Sequence, residues 1–264
     1  MNPISKFLAL PNDSRAKTLV VAFVLCLVCS ILVSTAAVAL KPLQEANKAL
    51  DRKRNILEIA GMMQPGASID ELFSGIEQRV VDLQTGRFAD DMDPAKYDQR
   101  KAAKDPAMSV ALSRDDDIAS IRRQARYATV YMVREDGRLK TIILPVHGYG
   151  LWSTMYGFVA LEGDGNTVKG LGFYAHAETP GLGGEVDNPA WRAQWPGRQV
   201  FNDKGEVAIE LVKGGVGPNT PNPQHKVDAL AGATLTSRGV ENLVHFWLGA
   251  NGFQPFIKYV INEG

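Results

Sequence analysis

The chain has 264 residues, 45% of them hydrophobic and 22% charged, with 29 basic against 29 acidic side chains. That length supports a real core, in one large domain or two small ones. The balanced charge excludes a general nucleic-acid binder, which holds phosphate backbones with an excess of Lys and Arg, and no basic and aromatic pattern recurs along the chain.

Residues 18–40, "TLVVAFVLCLVCSILVSTAAVAL", carry no charge between Lys17 and Lys41. At about 1.5 Å per residue they reach roughly 34 Å as a helix, enough for a hydrocarbon core of about 30 Å. They read as a single membrane span in contact with lipid, behind a short cytoplasmic N-terminus of residues 1–17. The rival is a cleaved secretory signal, since Ala37, Val38 and Ala39 look like a cleavage site. Against it, the apolar run exceeds the ~7–15 residues of a signal core, and helical patterning resumes at once. Lys6, Arg15 and Lys17 precede the span while Lys41, Lys48, Arg52, Lys53 and Arg54 follow it, a bias that conflicts with export of the following domain. Both cysteines, Cys26 and Cys29, lie in the span as small apolar residues. The rest of the chain therefore has no thiol for an iron–sulfur centre.

Residues 41–126 read as a helical, charged connecting region. A helix continues from the membrane to Gly61, with Leu43, Leu50 and Leu57 in line. Ser68 and Glu71 form a capping box for a second helix whose stripe is Ile69, Leu72, Phe73, Ile76 and Val80. Residues 87–126, including "RDDDIASIRRQAR", are charged and broken and predict a solvated helix and loops.

From Tyr127 three hairpins are expected: one turning at Glu135, Asp136 and Gly137, one at the "GDGN" of 163–166, and one in "RQVFNDKGEVAIELVKGG", where Val207, Ile209 and Leu211 alternate. Hairpins in series bordered by helices predict an α+β domain over 127–264, a twisted antiparallel sheet flanked by helices. Val240, Leu243, Val244 and Trp247 predict a helix over 238–248, stopped by Gly249.

Three bare loops interrupt this domain. "VHGYGLWS" (146–153) sets glycines beside Tyr149 and Trp152; "HAETPGLGGEV" (176–186) is a glycine-rich turn opened by Glu178, Thr179 and Pro180; "DALAGATLTS" (228–237) precedes the amphipathic run of 238–248. None matches a dinucleotide fingerprint, which needs a βαβ unit around it. Singly, the first two are tight turns and the third is a helix cap with Ser237 accepting from the following turn. Together they form a set of small-residue loops with a tryptophan that suits a flat, phosphorylated ring system, whose phosphate would use the free N–H groups of a helix start. His147, His176, His225 and His245 are too scattered for a metal site, His245 being a partly exposed helix residue, and no nucleophile-elbow motif is present.

"DALAGATLTS", "HAETPGLGG", "LPVHGYGLWSTMYGFVALE" and "NKALDRKRNILEIAGM" resemble the C subunits of bacterial sodium-translocating NADH:ubiquinone reductases over nearly the whole chain. Asp228 with Ala231, Gly232, Ala233 and Thr234 is similar to that family's flavinylation signature, with Ala231 where Ser or Thr is commoner. The resemblance implies FMN joined through its phosphate to the Thr234 hydroxyl by a separate flavin transferase that uses FAD. It implies an electron relay in the inner membrane, taking electrons from a membrane iron–sulfur centre and passing them to the FMN of a neighbouring protein in the complex, with the large domain on the periplasmic side. It also implies a flavin environment from Gly232, Ala233, Leu235, Thr236, Tyr149, Leu151, Trp152, Glu178, Thr179, Gly181, Leu182 and Gly183, with Thr236 and Ser237 left to cap the helix. Two alternatives stay open: the flavin-carrying member of the related ferredoxin-linked, Rnf-type ion-translocating complex, and a membrane-anchored protein that binds its ligand noncovalently.

Overall fold

The computed structural model describes residues 14–263, together with Phe7, Ala9 and Pro11. Lys6 and most of the segment 1–17 lie outside the described residues. The chain divides into two compact units, Met1–Leu50 and Asp51–Gly264.

Helix α1, Arg15–Ile59, runs without a break through Pro42. It is the one described helix long and apolar enough to cross a membrane, and its apolar window buries nothing against the protein. Leu43 and Leu50 are exposed, and only Leu57 of the expected line is buried. The helix ends as Gly61 predicts. Gly61 takes φ +65, its N–H bonds Glu58 O, and Met62 N reaches back to Leu57 O at 2.9 Å, which is the Schellman arrangement that a glycine permits.

Helix α2, Ile69–Ser74, is shorter than the sequence pattern implies. Glu71 accepts from Ser68 N at 3.4 Å, the return half of the capping box. Gly75 then ends the helix, and Val80 falls on strand β1, Glu77–Asp82. β1 pairs with β5, Tyr127–Glu135, from Glu77↔Met132 to Asp82↔Tyr127. The helical stripe overshoots because a strand partner fifty residues away decides the conformation at Val80.

The segment read as a helical connection therefore contributes to the sheet. β2, Arg87–Phe88, pairs with β1. The short α3, Gln99–Ala102, is capped by Asp98, which accepts from Arg100 N and Lys101 N at 3.0 and 3.1 Å. β3, Ser109–Ala111, and β4, Arg123–Ala125, form a separate antiparallel ribbon. Between them no helix forms. The Asp117 carboxylate takes Ile121 N and Arg122 N at 2.7 and 2.8 Å, while Ser120 and Arg122 adopt left-handed φ of 54 and 65.

β6, Arg138–Tyr149, β7, Thr154–Glu162, and β8, Val168–Ala175, complete a six-stranded antiparallel sheet of order β2-β1-β5-β6-β7-β8. The first two expected hairpins are the β5–β6 and β7–β8 pairs. The third does not form. Asn202 closes a tight loop through Lys204 N and Glu206 N, leaving one bridge, Phe201↔Val207. Beyond α4, Pro189–Arg192, strand β9, Glu210–Val212, instead runs parallel to β10, Lys226–Asp228.

The pleat sends successive residues to opposite faces. On one face Ile142, Leu144, Val146 and Val159 meet Val240, Leu243, Val244 and Trp247 of α5, Thr234–Leu248, and Phe256 and Val260 of α6, Gln254–Glu263. On the other, Ile143, Phe158 and Tyr131 meet Ile56, Leu57 and Ile59 at the end of α1 and Phe73 of α2. Helices thus cover both faces of the sheet.

Candidate flavin site

The three bare loops converge on one carboxylate. Glu178 is only 5% exposed. Its Oε1 accepts from Leu151 N, Trp152 N and Ser153 N at 3.2, 3.0 and 3.1 Å and from Ser153 Oγ at 3.3 Å. Its Oε2 accepts from Leu151 N at 3.1 Å and from Thr236 Oγ1 at 2.7 Å. Loop 149–153 and the first turn of α5 are thereby tied to loop 176–184. Burial alone would raise the Glu178 pKa, but the bonds from Thr236 and from the amides of Trp152, Leu151 and Ser153 prevail and hold it below the ordinary carboxylate value.

Glycines make that convergence possible. A Cβ on Gly150 would lie 2.6 Å from Glu178 Oε1, and one on Gly183 would lie 2.5 Å from Thr236 Oγ1. A Cβ on Gly239, inside α5, would lie 2.5 Å from Tyr149 O. The Glu178 backbone is held too. Its N–H bonds His176 Nδ1 at 3.2 Å while His176 Nε2 meets Asp187 Oδ2 at 2.7 Å. The bond to Asp187 raises the His176 pKa against the effect of burial. Ser153 Oγ also accepts from Ala177 N at 2.8 Å, and Tyr149 N bonds Ala119 O at 2.9 Å.

The start of α5 differs from the expected cap. The helix begins at Thr234, four residues earlier than the apolar pattern indicates, because Gly232 turns the chain at φ +72 and Ala233 anchors in the core. Ser237 thus lies inside the first turn. Its hydroxyl donates to Ala233 O and accepts from Leu230 N at 3.0 and 2.9 Å, stapling the preceding turn. Thr236, 1% exposed, gives its hydroxyl to Glu178. Neither hydroxyl caps the helix, and Ala233 offers no side-chain cap. The N–H groups of Thr234, Leu235 and Thr236 are the free donors that a helix start leaves.

Thr234 is exposed, and among the described residues its hydroxyl makes no hydrogen bond. The three loops joined through Glu178 carry exposed apolar groups: Leu235 (52%), Leu182, Leu151, Tyr149 and Trp152 (65%). A Cβ on Gly232 would lie 3.1 Å from Leu182 Cδ2, so the bare Gly232 and Leu182 face each other closely. Thr179 lends its backbone carbonyl, which takes Leu182 N and Gly184 N at 3.1 and 2.9 Å, while Gly181 turns at φ +75. The candidate residues therefore separate into a rim (Thr234, Leu235, Gly232, Leu182, Tyr149, Leu151, Trp152) and a support beneath it (Glu178, Thr236, Gly183, Ala233). Ser153, His176, Asp187 and Ala119 belong to that support and are absent from the expected site residues. The only hint in the sequence is that "GYGLWS" and "HAET" place Ser153 and His176 in loops otherwise built largely of small or apolar residues; Ala119 and Asp187 carry none. Asp228 stands apart: its carboxylate accepts from Val216 N at 2.6 Å and fixes the loop of Gly214 and Gly215.

The residues present fit FMN. An unpartnered hydroxyl sits at an uncapped helix start, which welcomes phosphate, and exposed apolar and aromatic side chains offer a face to a flat ring.

Residues 150–249 match the family model of the FMN-binding domain. The chain is 58% identical over 250 residues to the C subunit of the Na+-translocating NADH-quinone reductase of Pseudomonas aeruginosa, covering 93% of this chain and 96% of that one. It is 51% identical over 254 residues to the corresponding protein of Yersinia pestis, covering 94% of each. Its fold matches the crystal structure of Shewanella oneidensis NqrC with a TM-score of 0.75 at 39% identity, over 81% of this chain and 98% of that one. On this identity and coverage, the chain belongs to the NqrC family, the C subunits of the Na+-translocating NADH-quinone reductases.

Proposed function

We propose that the chain is the C subunit of a sodium-pumping NADH:quinone reductase, anchored in the bacterial inner membrane by α1, with its folded domain on the periplasmic side and FMN joined through its phosphate to Thr234. The observation that carries this reading is the exposed, unpartnered Thr234 hydroxyl at the first position of an uncapped helix. FMN supplies electron transfer, and no substrate need be transformed in this chain.

The chain's own residues do the rest. Attachment forms one phosphoester bond: the Thr234 oxygen displaces AMP from FAD, and the hydroxyl proton passes to the flavin transferase, since an unaided threonine is a poor nucleophile. Gly232 and Ala231 leave the backbone open on that side. The free N–H groups at the start of α5 donate to the phosphate, and the positive end of the helix dipole favours its charge. Tyr149, Leu151, Trp152, Leu182 and Leu235 shield the ring from water, and the bonds to Glu178 keep their loops in place. The remaining subunits of the complex would deliver and remove electrons. A large domain translocates largely regardless of nearby charge, which reconciles the basic run after the span with a periplasmic position.

The test is the mass of the tryptic peptide 227–238 from protein made together with a flavin transferase. Addition of FMN less one water, located on Thr234 by fragmentation, is the expected result. An unmodified peptide from cells that flavinylate a control returns the site to noncovalent binding.

A further inference from the structure

Glu178 was expected among the flavin contacts, yet its acceptor capacity is used up within the protein. An ionised carboxylate offers about four lone-pair sites. Three backbone amides and the hydroxyls of Ser153 and Thr236 occupy them. Among the described residues no Lys or Arg pairs with it. The ionisable group against it is His176, whose Nδ1 takes the Glu178 N–H and whose Nε2 is engaged by Asp187. Its socket is built: side chains at Gly150 or Gly183 would lie 2.6 and 2.9 Å from its oxygens. An anion is thus held by neutral donors with no described Lys or Arg beside it, and its Oε2 is bonded to a residue two positions after Thr234.

We propose that Glu178 is the positioning residue of this site, locking loop 149–153 to the first turn of α5, and that its fixed charge keeps the reduction potential of FMN on Thr234 low. The second half rests on the FMN reading above. A negative charge close to a redox group opposes the arrival of an electron, and protein groups tune flavin potentials in this way. The hydrogen bonds stabilise the anion but do not cancel its charge.

The experiment uses the full chain, made with and without a flavin transferase, as wild type, Glu178→Gln, Thr236→Val and Thr236→Ser. In flavin-free protein, hydrogen exchange at the amides of Leu151, Trp152 and Ser153 is expected to speed up about tenfold or more in Glu178→Gln, because the shared acceptor is weakened. In flavin-loaded protein, checked by mass, spectroelectrochemical titration is expected to show a higher midpoint potential for Glu178→Gln. Thr236→Val, which leaves the charge in place, is expected to show an unchanged or lower potential, and Thr236→Ser to match wild type. An unchanged or lower potential in Glu178→Gln overturns the proposal, as does a rise in Thr236→Val, the variant that decides alone if Glu178→Gln does not fold. Unchanged exchange at 151–153 overturns the locking role. If no variant or wild type carries FMN, the FMN reading fails and takes the potential with it, while the exchange result still decides the lock.

Discussion

Thr234 and Thr236 are the same residue type two positions apart, and the protein uses them oppositely. Thr234 lies on the rim, exposed and without a hydrogen-bond partner. Thr236 lies in the support, 1% exposed, with its hydroxyl on a buried carboxylate. Two steps along a helix turn a side chain by about 200°, so one residue points outward and the other inward. The support can thus be rigid because its polar groups are satisfied, and the rim can react or bind because its groups are not.

The support should break most severely at its centre. Glu178→Ala leaves three amides and two hydroxyls without their acceptor and should cost more than about 3 kcal/mol in urea unfolding, since each buried donor left unsatisfied costs about 1–3 kcal/mol. The same experiment carries a pH sign. Because the folded-state pKa of Glu178 lies below its ordinary value of 4.5, its stabilisation is complete above about pH 4.5 and is lost as the pH falls through the folded value. Glu178→Ala should lack that acid-side loss; an identical acid profile in wild type and variant would contradict the assignment.

Next comes the contact between loop 176–184 and α5. Gly183→Ala sets a methyl 2.5 Å from Thr236 Oγ1 and should destabilise the fold by about 1–3 kcal/mol, as overpacking does. Thr236→Val removes one donor to a charged acceptor while keeping the shape, and should cost about 1–2 kcal/mol. A Gly183→Ala protein as stable as wild type would mean that the two loops have room to part.

The smallest effect on stability belongs to the rim. Thr234→Ala should change unfolding by no more than about 0.5 kcal/mol, the usual range for an exposed position with no partner, yet it should abolish covalent flavin on a denaturing gel. A loss comparable to that of Thr236→Val would show that Thr234 is part of the support, and the contrast between the two threonines would fail.

Much of this was legible in the chain itself. The apolar stretch of 18–40, the Gly61 stop, the hairpins turning at 135–137 and 163–166 and the apolar face of α5 follow from local patterns of period 3.6 or 2 and from glycines at turns. Tyr149, Trp152 and the hydroxyls of 234–237 stood out because aromatic and hydroxyl side chains on bare loops are locally conspicuous, whereas Leu151, Leu182 and Leu235 were named by the family resemblance. What escaped were non-local decisions. Val80 fits a helical stripe but pairs in a sheet with residues around 129. "RQVFNDKGEVAIELV" looks like a hairpin, but its second half pairs with 226–228. Ser237 looks like a cap, but the core position of Ala233 starts the helix earlier.

The sequence alone determined a membrane-length apolar helix and an antiparallel α+β domain, because each depends on neighbours a few residues away; Thr234 was singled out among its neighbouring hydroxyls by family resemblance, and the structure decided that it is the exposed one. Only the tertiary structure decided which loops share an acceptor. The bonds from residues 151–153 and 236 to Glu178 close separations of 25 to 58 residues, and no local pattern announces a contact made across the sheet.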